Sequence, residues 1–298
     1  AQAETFAERL PQTVRPLLKA SYALQDAMTG PSPFAFHAVN LGLHLATTLM
    51  VLALLRRAAG LAGHAADVAA RIGWMAALVW AVHPALADTV TYVSGRSAGL
   101  STFLVIGCLL AATATRPRWP LAFLLAFLAP LARETALVAP VLLLAWQLCL
   151  GRSDGSALAL RRALPVWLGA LAAMMVIAAM ARHRELVAFS LDQRAPLDAI
   201  RANLFAIPEI LWLWLAPSRI SILPTQPVIH GWADQLTLFR LIGLAILPLL
   251  AVALRRRAPM VALAILWTLL ALMPTNSVIW RVEPVASRPL YLAGIGLS

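Results

Sequence analysis

The 298 residues are 61% hydrophobic and only 12% charged, with a mean hydropathy of +0.80. That balance excludes a water-soluble globular domain, which would expose far too much apolar surface to water. The net charge of +11 comes from 24 Lys and Arg against 13 Asp and Glu, and the arginines stand in short clusters between apolar runs; this is the pattern of membrane-flanking segments, and no nucleic-acid partner is expected.

A membrane-crossing helix needs about 20 apolar residues. In chain order the candidates are 34–55, 68–82, 100–113, 121–131, 137–150, 164–181, 238–254 and 260–273. They predict an all-α, polytopic helix bundle of about eight spans, a single domain over 1–298. Residues 1–33 read as the end of a first external loop, 34–181 as the helical core, 182–237 as an external loop and 238–298 as the C-terminal spans. Arg56-Arg57, Arg116 with Arg118, Arg152 with Arg161-Arg162, and Arg255-Arg256-Arg257 all fall on one side if crossings alternate from 34, and the positive-inside rule makes that side cytoplasmic. The Ala/Arg-rich, Lys-poor usage suggests a bacterial inner membrane. For the alternation to hold, the apolar segment 201–217, with Pro208, Glu209, Trp212 and Trp214, must lie in the interface or re-enter rather than cross. The first residues show neither an initiator Met nor a signal-peptide pattern, and the last fall in an apolar run, so both ends are expected to be cuts in a longer chain.

Polar residues within this apolar background are where chemistry would sit. On the first span His37, Asn40, His44 and Thr47 recur at helical spacing and predict an inward-facing stripe. Interhelical hydrogen bonds explain it better than a metal, because His37 and His44 are about 10 Å apart along the helix. Next, His83-Pro84 should end the second span at the external face. If residues 86–97 continue as helix, Asp88, Tyr92 and Arg96 share one side. Asp88 there serves either as an acid or base orienting an acceptor or as a helix cap; Arg96 either grips a phosphate or snorkels to lipid headgroups. Arg133-Glu134 joins two spans at the same face, as a phosphate site or as a mutually neutralising pair. Arg15, Lys19, Arg281 and Arg288 add external cations, which suit a lipid-linked phosphate at the membrane surface. Cys108 and Cys149 fall inside apolar runs and read as small core residues.

Arg15-Pro16-Leu17, followed by Gly30, Pro33, Phe36-His37, Asn40 and His44, resembles the start of the second span in GT-C glycosyltransferases, specifically the transmembrane and tetratricopeptide repeat-containing O-mannosyltransferases and their bacterial relatives. His83-Pro84 with Asp88 and Arg96 is similar to the next motif, with Asp88 where Glu is usual. Arg133-Glu134-Thr135-Ala136 is similar to a third, with Arg for Lys. Pro274-Thr275-Asn276-Ser277 and Arg288-Pro289-Leu290-Tyr291-Leu292 extend the likeness, with Ala293 where Pro is common.

The resemblance implies a multi-pass enzyme of the bacterial inner membrane, working on its periplasmic face. It would move a sugar from a polyprenyl-phosphate donor to a periplasmic acceptor such as a protein hydroxyl. Arg96, Arg133 and Arg288 would hold the donor phosphate, and Asp88 would orient the acceptor or assist. His83, Tyr92, Glu134, Arg15, His37 and Asn40 would support them. No cofactor is assigned; a divalent metal is compatible with the chemistry, but no convincing ligand set is evident. The family's catalytic acid precedes the Arg15 motif, where only Glu4 and Glu8 remain and neither sits in a paired Asp motif, so the base is expected upstream of Ala1. Tetratricopeptide repeats that bind the acceptor would follow the chain. The alternative is a non-catalytic membrane protein: a lipid-linked sugar flippase, or an inactive relative acting as a scaffold.

Overall fold

A computed structural model describes residues 14–151, 156–193, 196–219, 235–274 and 285–298. Helix α1 (Pro16–Thr29) stops at Gly30, whose φ of 65° a side chain would strain. Helix α2 (Pro33–Leu61) starts at once, because the Ser32 hydroxyl accepts from the Ala35 amide and Pro33 sits in the first turn, where a missing N–H leaves no gap. There follow α3 (Ala66–Val82), the short α4 (Ala87–Thr91), α5 (Arg96–Ala112), α6 (Trp119–Ala132), α7 (Ala139–Leu150), α8 (Ser156–Ala179), α9 (Ala181–Gln193), α10 (Pro196–Leu215), α11 (Gln235–Leu254), α12 (Pro259–Leu272) and α13 (Leu290–Leu297). Single 3-10 turns link several of them, and among the described residues there is no strand, as the expected all-α class requires.

Small residues pack at several helix contacts while many large apolar ones face outward, although the core also holds Trp80, Phe205 and Tyr291. Ala122, Ala126 and Ala129 of α6 are fully buried, as are Ala58 and Ala59 of α2, whereas Leu41, Leu45 and Leu49 of α2 and Trp74, Met75 and Leu78 of α3 are exposed. Close backbone approach is the reason. A Cβ at Gly169 would stand 2.5 Å from the Phe123 carbonyl oxygen, and one at Gly73 would stand 3.0–3.2 Å from the Arg56 backbone and Cβ. An interior of small residues under an apolar exterior is how helices pack when lipid, and not water, is the solvent.

Eight crossings do not follow from this structure. Every expected span is helical, but among the described residues only α2 and the continuous stretch Val93–Ala112 are long and apolar enough to cross, and the number reaches four if two bent pairs each count as one span. Those pairs are Ala66–Val82 with Pro84–Thr91, bent by 57°, and Ala163–Ala179 with Ala181–Phe189, bent by 82°. The others fall short because the chain breaks before a full span is complete: α6 ends where Arg133 turns extended (φ −160°), and a 3-10 turn at Glu134–Val138 intervenes before α7. The stretch 182–237, expected as a loop with one interfacial helix, is helical through α9 and α10 as far as Leu215. The apolar part of α10, Phe205–Leu215, is below span length, and Phe205, Ile210 and Trp214 are buried against the bundle.

The core is tied together by polar side chains on backbone carbonyls. Trp80 Nε1 donates to Tyr291 O (3.1 Å) and Trp267 Nε1 to Leu292 O (2.9 Å), so that α3 and α12 clasp α13. The breaks after α3 and α6, the start of α5 and the approach to α13 all fall at one end of the bundle.

Candidate functional site

At that end the chain from His83 to Gly95 is folded, not continuously helical. His83 is extended (ψ 126°), α4 lasts five residues, Tyr92 is extended again (ψ 134°), and a 3-10 turn leads into α5. Gly95 permits the fold, since a Cβ there would lie 2.3 Å from Thr89 O. The expected face shared by Asp88, Tyr92 and Arg96 is therefore absent: the kink at Tyr92 sends Asp88 and Arg96 to different partners.

Asp88 meets the segment before α13. Its Oδ2 accepts from Arg288 Nε (3.0 Å) and Ser287 Oγ (3.2 Å), while the Arg288 guanidinium lies 6.0 Å from the Tyr92 ring centroid. Both charged side chains stay partly exposed, 35% for Arg288 and 26% for Asp88. Arg133, buried at the end of α6, donates to Ser97 Oγ (3.4 Å). Arg133 and Arg288 line the same cavity of about 20 Å³ together with Ser101, Thr102 and Thr135. The cavity has room for about one water molecule, so an anion would meet these guanidiniums and hydroxyls at its edge and not inside it.

Arg96 is placed differently. Only 2% of it is exposed. Its Nε donates to Asn40 Oδ1 (2.9 Å), its Nη2 to Gln25 Oε1 and to Phe36 O (3.3 Å), and its guanidinium stacks over Tyr22 at 4.6 Å and Phe36 at 5.3 Å. It neither caps a surface site nor snorkels. It fastens α1, α2 and α5 to one another, and cation–π contact in place of a carboxylate suits a cation out of water. Asn40 completes the knot by donating from Nδ2 to Tyr92 O (3.0 Å). Tyr22 donates to Val93 O (2.7 Å), and burial pushes its phenol above the ordinary value, against the opposing pull of Arg96 and Arg15.

Glu134 pairs with Arg15, at 3.0 and 3.1 Å through Nη2 and Nε, and not with its neighbour Arg133. Because Arg133 is extended, consecutive side chains diverge. His83 stacks flat on Trp214 (3.7 Å, 1°), accepts from the Ala85 amide at Nδ1 and donates from Nε2 to Trp214 O (3.0 Å). His44 donates from Nε2 to Ala81 O (3.0 Å), so its Nδ1 accepts from the Tyr291 hydroxyl (2.9 Å), and Trp80 stacks on it. Asn40, His44 and Thr47 are thus buried toward the bundle, but His37, nearer the start of α2, is exposed and does not join them. Among the described residues no three His, Cys, Asp or Glu side chains gather, and Asp88 and Glu134 are each occupied by an arginine.

Reading the sequence alone missed Gln25, Tyr22, Ser97 and Ser287, and it placed Trp214 at the interface and not against His83. Nothing marks them locally, because each matters through a partner far along the chain. Glu4, Glu8, Arg281 and Thr275-Asn276-Ser277 lie outside the described residues. Comparison with protein-family models, with curated proteins and with solved structures finds no match for this chain.

Proposed function

We propose that the chain is the membrane-embedded part of a GT-C-type glycosyltransferase that moves a sugar from a polyprenyl-phosphate donor to a periplasmic acceptor, such as a protein hydroxyl. The observation that carries this reading is the convergence of Arg133 and Arg288 on one small polar cavity beside Asp88, at the end of a bundle whose outer faces are apolar. A lipid-linked phosphate has the matching form: an anion for the arginines and a long chain for the apolar exterior.

In this reading the donor phosphate sits against Arg133 and Arg288, with Asp88 holding the Arg288 fork in place. Asp88 accepts from Arg288 and Ser287 at Oδ2, and its Oδ1 has no partner among the described residues, so it can accept from an acceptor hydroxyl. The acceptor oxygen forms the new bond to the sugar's anomeric carbon as the carbon–oxygen bond to phosphate breaks. The departing polyprenyl phosphate keeps the bonding pair, and the two guanidiniums stabilise its growing charge. The hydroxyl proton passes to Asp88 Oδ1, the assisting base of this reading. Arg96 and Asn40 fasten α1 and α2 to the turn before α5, Arg15 with Glu134 fixes α1 against the turn after α6, and His83 holds α10. Under the positive-inside rule this end faces the periplasm of a bacterial inner membrane, because Arg56-Arg57, Arg116, Arg118 and Arg255-Arg256-Arg257 stand at the other end of the same helices. Additional spans beyond the two to four of sufficient length would be made by the shorter apolar helices in pairs.

A second reading, a non-catalytic flippase or scaffold that binds the same lipid-linked sugar, is favoured by the ion pairing of both Asp88 and Glu134. One experiment separates the two. Membranes containing the full-length protein receive a polyprenyl-phosphate donor with a labelled sugar, and label leaving the lipid fraction is counted. The enzyme reading expects transfer that falls about 100-fold or more in Arg133→Ala and in Arg288→Ala, the usual cost of removing a charge-stabilising donor. No transfer by the wild-type protein, with label crossing the bilayer or merely bound, would leave the second reading; undiminished transfer in both variants would remove the arginines from the site.

A further inference from the structure

The opposite end of the same helices holds a second and much larger cavity, of about 870 Å³, between α2, α5, α6 and the connection from α5 to α6. It is independent of the function proposed above. Met50, Phe103 and Leu125 form its apolar wall, and Arg57, Arg116 and Arg118 line it too. Among the described residues no Asp or Glu does. Arg57 is held rigidly: its Nη1 donates to Leu110 O (2.9 Å) and Thr113 Oγ1 (3.1 Å) at the end of α5, while its Nε and Nη2 have no protein partner among the described residues. Arg116 and Arg118 are exposed and make no side-chain hydrogen bond or ion pair there. Gly107 keeps the wall open; a Cβ there would come within 3.1 Å of Met50 Cε and 3.2 Å of Leu125 Cδ1.

We infer that this cavity is a binding site for an anionic lipid, with the lipid phosphate between Arg57, Arg116 and Arg118 and the upper part of an acyl chain along Met50, Phe103 and Leu125. Charge and shape both point there. Three guanidiniums without a lining carboxylate leave positive charge that only a ligand or solvent can balance, and guanidinium forks match phosphate oxygens. A soluble anion would satisfy the arginines but leave the apolar wall uncovered, whereas a lipid phosphate covers both. The volume lies within the range of pockets that enclose a small-molecule ligand. Arg57 supplies a preset anchor, so that binding orders mainly the two exposed arginines.

The test uses the full-length protein in neutral detergent, offered phosphatidylglycerol or phosphatidylcholine in mixed micelles, with retained lipid counted by native mass spectrometry. The expected result is preferential retention of phosphatidylglycerol, reduced about tenfold or more in Arg116→Ala/Arg118→Ala, given the usual attraction of each basic residue for an anionic surface. Gly107→Leu, which fills the cavity without touching charge, should lower retention as well. Arg256→Ala/Arg257→Ala, which removes two exposed charges outside the cavity lining, should retain lipid like the wild type. Equal retention of the two lipids would overturn the proposal. So would an equal loss in the Arg256/Arg257 control, which would mean diffuse attraction, or full displacement by excess inorganic phosphate, which would mean a site for free anions that ignores the apolar wall.

Discussion

The two ends of the bundle carry similar arginines in opposite circumstances. At one end Arg15, Arg96 and Arg288 each have named partners, and Arg96 is sealed from solvent. At the other end Arg116 and Arg118 stand exposed without an ion pair. A count of charges does not distinguish them, but pairing does. Arg96, sealed among its partners, holds helices together, and the unpaired Arg116 and Arg118 are open to a ligand; Arg288 stands between these cases, paired with Asp88 yet partly exposed beside the small cavity.

Substitutions should expose this difference as a graded series. Arg96→Ala is expected to have the largest effect, a loss of about 3–5 kcal/mol, because Asn40 and Gln25 would lose the donor that satisfies them inside the protein. Thermal unfolding of the full-length protein in detergent measures it, and a drop no greater than that of an exposed arginine would break the comparison. Gly294→Ala comes next at about 1–3 kcal/mol, since its Cβ would lie 2.3 Å from the Trp214 ring, which is itself held by His83. Asp88→Asn should cost about 1 kcal/mol or less, because the Arg288 pair is partly solvated; added salt should narrow the gap to the wild type. Arg116→Ala should stay within about 0.5 kcal/mol in the same melting experiment, having no protein partner to lose. A stability loss there comparable with that of Arg96→Ala would mean that both ends are structural.

The helical pattern was readable from apolar runs, and so was the stripe of Asn40, His44 and Thr47, because helical spacing alone puts them on one side. The kink at His83-Pro84 was readable from the proline. Partner choice was not. Arg133 and Glu134 are adjacent and opposite in charge, yet Glu134 takes Arg15 from 119 residues away, because an extended backbone at Arg133 turns the neighbours apart. Asp88 finds Arg288 across 200 residues, and Arg96 finds Gln25 across 71. The shared face that a continuous helix over 86–97 would have made is broken at Tyr92, which is extended, and Gly95 there packs closely on Thr89.

What the sequence by itself determined is the all-helical, strongly apolar character of this protein and the gathering of its arginines into short clusters between apolar runs, since both follow from summed composition and from stretches a few residues wide. The tertiary structure alone decided which arginines are spent on holding helices and which remain for a ligand. That depends on distances between segments far apart in the chain, and a buried cation is tolerated only where packing brings it the acceptors and ring faces it needs.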